Sequence, residues 1–172
     1  MREQSKRSRF EQTVLPHLDA AYNLARWLTR DDADAEDVMQ EAYLRAFRFF
    51  DGFHGDNSRA WLLKIVRNSC YTWRQQNRVR ALATEFDEQV HSGESETPEI
   101  ILLGTVNTQL LKRALETLPP EFREAVILRE LEGFSYREIA DITEVPVGTV
   151  MSRLARARKR LQQCLAADTK EG

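Results

Sequence analysis

The sequence lacks the features that would indicate an enzyme, a metal site or a membrane-spanning segment. No apolar run approaches the roughly 18 residues that cross a bilayer. The two cysteines, Cys70 and Cys164, have no CxxC or Cys/His neighbour, and His17, His54 and His91 lie at no metal-ligand spacing. A glycine-rich phosphate loop and a nucleophile motif are also missing. These absences predict a protein that is not an enzyme and uses no cofactor, metal or small-molecule substrate.

The amino terminus lacks the apolar stretch of a secretory signal. Residues 1–9 are polar and basic, and no hydrophobic segment follows them. We therefore expect a cytoplasmic location. The chain of 172 residues, 42% of them hydrophobic, is long enough for one medium domain or two small ones.

The chain as a whole also lacks positive charge, since its 25 Lys and Arg are outnumbered by 27 Asp and Glu. The negative charge is concentrated in residues 82–106, which carry six acids and no base (−6). Residues 1–81 carry 14 bases and 11 acids (+3), and residues 107–172 carry 11 bases and 10 acids (+1). Both ends are therefore mildly basic, which keeps nucleic acid open as a partner.

Strand signals are nearly absent, whereas apolar residues recur at helical spacing. The middle stretch, residues 82–106, is rich in turn formers and acids and predicts a flexible acidic linker. We expect an all-α fold of two small helical domains, residues 1–81 and 107–172, joined by that linker.

Three helices are predicted in the amino-terminal domain. The second runs from about Ala33 to Phe50 and the third from Arg59 to about Arg80. Two glycines and three Asp or Asn residues predict a loop over residues 51–58. The first helix is predicted from one apolar face, formed by Phe10, Val14, Leu18, Ala21, Ala25 and Leu28.

The sequence pattern of the carboxy-terminal domain predicts a helix-turn-helix. Helices are expected over residues 107–117 and from Pro120 to about Glu132, with Gly133 ending the second. Ser135 and Glu138 form a capping-box pattern at the start of a short helix. A turn at residues 145–148 then leads into a last helix from about Thr149 to Leu165.

Two helices carry basic stripes. From Val145 to Leu165 there are five bases and no acid, which suits the phosphates and base edges of duplex DNA. On the third helix, cationic residues with an aromatic among them suit single-stranded nucleic acid. For either stripe, the alternative is an ordinary solvated helix face. The stripes are Thr149, Arg153, Arg156 and Arg160 on the last helix, and Lys64, Arg67, Tyr71, Arg74 and Arg78, bordered by Asn68 and Gln75, on the third.

Several segments together resemble the extracytoplasmic-function sigma factors, the promoter-recognition subunits of bacterial RNA polymerase. Residues 34–47 look like the segment that binds the polymerase clamp helices, and residues 53–69 look like the loop and helix that read the −10 element. Residues 118–128, 133–140 and 146–158 are similar to the −35-binding domain. The resemblance covers both domains in the family's order.

The resemblance implies a function and a set of site residues. The protein would bind core RNA polymerase, through the β′ clamp helices and the β subunit, and promoter DNA, and it would be controlled by an anti-sigma factor in a stress response. The polymerase-binding residues would be Asp37, Gln40, Glu41 and Leu44. The −10 residues would be Phe53, Gly55, Asp56, Asn57, Ser58, Lys64, Arg67, Asn68, Tyr71, Arg74 and Arg78, with the loop holding a flipped base, and the −35 residues would be Thr149, Ser152, Arg153, Arg156 and Arg160.

Two positions depart from the family pattern. Met151 stands where relatives often carry a basic residue, and Ala155 is small where relatives can carry a larger side chain. The −35 sequence that this chain prefers is therefore not transferable from relatives. Three alternatives remain: a ligand-binding or dimerising helix-turn-helix regulator, a helical enzyme, and a sigma-like decoy that binds an anti-sigma factor instead of DNA.

Overall fold

A computed structural model describes residues 2–83 and 108–170, with side chains described for 2–80 and 109–167. Residues 2–83 belong to one compact helical unit, and residues 108–170 belong to a second. Most of the predicted acidic linker lies outside the described residues. The first unit contains α1 (Arg2–Val14), α2 (Leu18–Thr29), α3 (Asp32–Phe49) and α4 (Ser58–Ala83), and the second contains α5 (Thr108–Thr117), α6 (Pro120–Val126), α7 (Tyr136–Thr143) and α8 (Val147–Lys170).

The core of the first unit lies where α2, α3 and α4 pack on one another. Phe10 of α1 closes this core, because its ring lies edge-on to the rings of Tyr43, Phe47 and Phe50 at centroid distances of 5.0, 5.2 and 5.4 Å. Edge-to-face aromatic pairs of this kind stabilise a core beyond the area they bury. On α4, Leu62, Leu63 and Val66 face this core and are 1%, 0% and 0% exposed.

The prediction of one continuous first helix was wrong. A 3-10 turn over Leu15–His17 separates α1 from α2, because Pro16 has no N–H group and its ring interferes with the preceding turn. The predicted apolar face persists across the break. Phe10 and Val14 are buried on one side of it and Ala21, Ala25 and Leu28 on the other.

The junction between α2 and α3 is held by polar contacts. Asp31 caps α3, because its Oδ1 accepts a hydrogen bond from the Asp34 N–H at 3.0 Å. The buried Arg26 guanidinium donates to Asp32 Oδ1 at 2.6 Å. Arg30 adopts the left-handed conformation at φ +64°, which ends α2. Asp31 therefore supplies the amino-terminal cap of α3.

The second unit is a helix-turn-helix packed on two further helices. The predicted capping box is confirmed: Ser135 Oγ accepts from the Glu138 N–H at 3.1 Å, and Glu138 Oε1 accepts from the Ser135 N–H at 3.0 Å. Gly133 ends the preceding helix with φ +70°, where a side chain would be strained. That helix does not end as a regular α-helix, because α6 continues as a π turn over Ile127–Leu131.

Arg123 ties α5 to α6 from inside the second unit. Its side chain is 4% exposed. Its guanidinium donates to the carbonyls of Leu115, Glu116 and Leu118 at 3.0, 3.1 and 2.9 Å. Leu115 and Glu116 lie in the last turn of α5 and Leu118 follows it, and carbonyls at a helix end lack the i+4 donors of a further turn. One buried arginine thus supplies hydrogen-bond donors to the carboxyl end of α5, which packs against α8.

Candidate nucleic-acid interface

The last helix, α8, is fixed by an apolar face. Val150, Leu154 and Ala157 are 1%, 1% and 0% exposed, and Leu161 is half-buried. This anchoring turns the opposite face outward. Exposed positions on that face are Gly148, Met151, Ser152, Ala155, Arg156 and Lys159.

The predicted −35 residues do not all lie in the same environment. Ser152, Arg156 and Arg160 are exposed, whereas Thr149 is half-buried. The side chain of Arg153 is 21% exposed, and its Nη1 lies 3.9 Å from an oxygen of Glu124, which is 0% exposed. Arg153 therefore faces the interior of the unit as well as solvent, and Arg156 is the more accessible arginine.

Two other basic residues of α8, Arg158 and Lys159, lie in environments that their sequence positions did not predict. Arg158 is ion-paired with Glu130 at 2.9 Å, and this hydrogen bond raises the pKa of the Arg158 guanidinium. Lys159, which was not predicted as a site residue, is exposed one turn beyond Ala155. Its i+7 spacing from Ser152 was the signal that could have found it.

The stripe on α4 is brought together on one face of the helix. The Arg67 guanidinium lies 3.8 Å above the centre of the Tyr71 ring, and Arg67 Nη1 donates to Asn68 Oδ1 at 3.3 Å. Arg78 is exposed near the carboxyl end of the stripe. The other members are half-buried: Lys64, Arg67, Asn68, Tyr71 and Arg74.

The loop before α4 is anchored at both of its ends. The Phe53 ring lies 4.8 Å from the Trp61 ring at an interplanar angle of 31°. A Cβ added at Gly55 would lie 3.3 Å from the Phe53 ring, so a residue with a side chain would crowd that ring. Gly55 and Asp56 are exposed in the middle of the loop, and His54 and Asn57 on either side of them are exposed as well.

At the other end of the loop, polar side chains fasten the first turn of α4. Asn57 Oδ1 accepts from the Ala60 N–H at 3.1 Å, so Asn57 caps the helix. Ser58 Oγ and His17 Nε2 lie 3.2 Å apart in a hydrogen bond. Burial, and then the nearby Arg59 charge, lower the pKa of His17 below 6.5, which favours the neutral ring. Asn57 and Ser58 thus hold the loop in place.

The ridge on α3 combines polar and apolar surface. Asp37, Gln40 and Glu41 are exposed, and Glu41 Oε1 accepts from Arg45 at 3.4 Å. Leu44 is 67% exposed, an unusual position for a large aliphatic side chain. A groove of about 470 Å³ adjoins the ridge, lined by Leu18, Met39, Gln40, Tyr43 and Leu44. Leu18, Met39 and Tyr43 were not predicted as site residues, although Met39 is adjacent in sequence to Gln40 and Tyr43 is adjacent to Leu44.

No cluster of His, Cys, Asp or Glu that could hold a metal ion occurs among the residues described. Within the same described ranges, no helix has the length and apolar character needed to cross a membrane.

Comparison with known proteins matches each unit to a family. Residues 13–80 match sigma-70 region 2, and residues 108–161 match sigma-70 region 4. The chain is 36% identical over 163 residues to the ECF RNA polymerase sigma factor SigE of Mycolicibacterium smegmatis, covering 94% of this chain and 63% of that protein. It is 39% identical over 137 residues to the ECF RNA polymerase sigma-E factor of Escherichia coli, covering 74% of this chain and 72% of that protein.

Solved structures are similar in fold as well. The sigma factor RpoE of Bartonella quintana, in complex with the anti-sigma factor NepR, superposes with a TM-score of 0.78 at 34% identity. The match covers 92% of this chain and 98% of RpoE. CnrH, in complex with the cytosolic domain of CnrY, gives a TM-score of 0.64 at 25% identity and covers 92% of this chain and 88% of CnrH.

Proposed function

The chain belongs to the ECF RNA polymerase sigma factors, non-enzymatic DNA-recognition factors of transcription initiation, and from this membership we propose a division of labour between its two units. The first unit, with boundaries near residues 1–81, binds core polymerase and the melted −10 element. The second, near residues 107–172, binds the −35 element as duplex DNA. The observation that carries the proposal is that each match to a sigma-70 region contains one of the two basic surfaces.

The second unit binds the −35 element through the outward face of α8. Arg156, Ser152 and Arg160 are exposed on a helix whose other side is fixed in the core, so they are presented to a major groove without rearrangement. Arg153 and Thr149 lie at the edge of that face and contact the DNA backbone there. Phosphate contacts supply most of the affinity and base contacts supply the specificity.

The first unit captures the unpaired −10 strand between the loop and the α4 stripe. Gly55 and Asp56 offer backbone and carboxylate groups at the exposed part of the loop, while Phe53, Asn57 and Ser58 hold its shape. A flipped base costs a few kcal/mol to unstack, so a loop that is already held in place lowers the remaining cost of binding. The strand then follows Lys64, Arg67, Asn68, Tyr71, Arg74 and Arg78.

The α3 ridge and its groove form the contact with the polymerase. Asp37, Gln40 and Glu41 make a polar, negatively charged margin beside the apolar groove at Leu44. An interface with an apolar centre and a charged rim is typical of protein–protein contacts. We place the β′ clamp helices on this ridge, and the β subunit is a further contact of the same holoenzyme.

An anti-sigma factor belongs to the same proposal, because RpoE and CnrH are each seen in complex with a partner protein. We extend the proposal to control of a stress response and to a cytoplasmic location, where polymerase and promoter DNA are found.

Run-off transcription tests the proposal. Core RNA polymerase, genomic DNA fragments and this protein together should yield discrete transcripts that neither protein component makes alone. Sequencing of the transcript 5′ ends should then reveal shared −35 and −10 elements. Transcripts with no shared upstream elements, or no dependence on this protein, would refute the assignment.

Leu44→Ala is expected to weaken binding to core polymerase about tenfold. The side chain is 67% exposed, so its truncation removes surface from the ridge without opening a cavity in the fold. Titration of labelled protein with core polymerase measures the affinity. Leu15→Ala is the matched control, because Leu15 is an exposed leucine of the same unit, outside the ridge. Equal losses in the two variants would remove Leu44 from the interface.

A further inference from the structure

Helix α8 carries an exposed apolar stripe beside its cationic one. Val147 is 37% exposed and Met151 is 53% exposed, and Ala155 is exposed as well. The three positions follow one another at i, i+4 and i+8, so they lie along one flank of the first helical turns. Exposed large aliphatic side chains are few in the described residues, and two of them lie on these turns.

The two flanks of α8 differ in chemistry. Thr149, Arg153, Arg156 and Arg160 run along one flank, and the apolar stripe runs along the other. Two cations follow the apolar stripe: Arg158, at i+7 from Met151, is ion-paired with Glu130, and Lys159, at i+4 from Ala155, is exposed. The exposed positions Gly148 and Ser152 lie between the two flanks. A helix that enters a major groove through this outward face therefore carries the cationic flank on one side of the contact and the apolar flank on the other.

The major groove of B-DNA presents one apolar group, the 5-methyl of thymine, and aliphatic side chains contact it. The amino-terminal residues of a recognition helix are the ones that reach base edges in such domains. The thioether side chain of Met151 is flexible and polarizable, so it adapts to a methyl group. Ala155 is short and leaves space beside Met151 for that methyl.

We infer that Met151, with Val147 and Ala155 beside it, reads a thymine methyl group in the −35 element. The inference rests on the proposed function of the second unit and adds a specificity-determining contact to it. Met151 makes no phosphate contact, so it contributes discrimination between bases and little salt-dependent affinity.

Deoxyuridine differs from thymine only by the 5-methyl group and tests the inference directly. The wild-type holoenzyme would first select promoters from a template pool randomised across the −35 element. The selected promoters would then be resynthesised with one thymine at a time replaced by deoxyuridine. Loss of the contact should lower initiation about fourfold at one or two positions, the value expected for one buried methyl-sized group. At the same positions, 5-methylcytosine should initiate better than cytosine.

Two variants connect that effect to Met151. Met151→Ala should initiate equally well from thymine and deoxyuridine templates at the sensitive position. Met151→Lys should also lose the effect and should steepen the dependence of log affinity on log salt by about 0.9, the value for one added phosphate contact. Gln162→Ala is the control, because Gln162 is exposed on the same flank of α8 beyond the apolar stripe and should retain full deoxyuridine sensitivity.

The inference fails if the selected −35 element contains no thymine, if no deoxyuridine substitution matters, or if Met151→Ala keeps the same sensitivity as the wild type. In each of these cases promoter-dependent initiation from the unmodified template persists. Failure of the proposed function is a different result, since no promoter would then be selected from the pool.

Discussion

Arg123→Ala is expected to destabilise the second unit by about 3 kcal/mol. The guanidinium is buried and donates three hydrogen bonds to the carbonyls that end α5. Hydrogen bonds from a charged group contribute about 1.5–3 kcal/mol each, although their contributions do not simply add. Alanine would leave those carbonyls without these donors and would open a cavity where the side chain was.

The tryptophans allow this loss to be assigned to one unit. Trp27, Trp61 and Trp73 all belong to the first unit and are the only tryptophans in the chain. In urea titrations of the full chain, Arg123→Ala should move part of the circular dichroism transition to lower urea and leave the tryptophan fluorescence transition in place.

Two further variants support the interpretation. Arg123→Lys should recover only part of the stability, because an ammonium group lacks the planar fork of donors. Arg113→Ala is the control, since Arg113 is exposed on α5. An Arg123→Ala protein with an unchanged circular dichroism transition would show that the three bonds contribute no net stability.

Arg156→Ala should lower initiation from a matched promoter by about 10- to 100-fold. Arg156 is the exposed arginine nearest the centre of the outward face of α8, and a guanidinium that pairs with a guanine edge discriminates by about 1–3 kcal/mol. The stability of the unit should not change, because the Arg156 side chain is exposed. Run-off transcription from the selected promoter measures the effect.

Selection from the randomised −35 pool distinguishes a base contact from a phosphate contact. If Arg156 reads a base, Arg156→Ala should tolerate all four bases at one position of the element. If it contacts a phosphate, the preferred sequence should persist while affinity falls uniformly and the salt dependence weakens by about 0.9. Lys159→Ala should show this second behaviour. Unimpaired initiation by Arg156→Ala would contradict its assignment to the −35 surface.

The elements with the strongest periodicity were predictable from the sequence. The α3 and α8 helices follow clear patterns of apolar residues, and the capping box at Ser135 is a local signal that needs no tertiary information. The interruption at Leu15–His17 was missed because the apolar face continues across it. Apolar periodicity reports which side is buried, and it does not report whether the backbone hydrogen bonds are continuous.

The roles of single polar residues were less predictable. Arg158 was one of five bases on a helix, and only the fold places Glu130 within 2.9 Å of it. Asn57 had the residue type of a loop that reads a base, and the same residue type also favours capping α4. Arg153 shows the same ambiguity, because its pairing with a buried carboxylate depends on how α6 packs against α8. A polar side chain can serve several purposes, and its neighbours decide which one applies.

The groove beside Leu44 was not predicted either. Its walls come from two helices, with Leu18 on α2 and the other lining residues on α3. Each wall alone has the composition of an ordinary helix face. A concave apolar surface arises only when the two helices are placed side by side, which local sequence spacing does not specify.

The π turn over Ile127–Leu131 has a consequence for comparing related chains. In it the Glu132 N–H bonds to the Ile127 carbonyl, five residues back, so the stretch accommodates one residue more than a regular α-helix would. A homologue with a one-residue deletion here can close the helix with ordinary i to i−4 bonds and still present the same downstream helices. An alignment gap inside this helix is therefore compatible with an unchanged fold and should not be moved into the neighbouring turn to keep the helix unbroken.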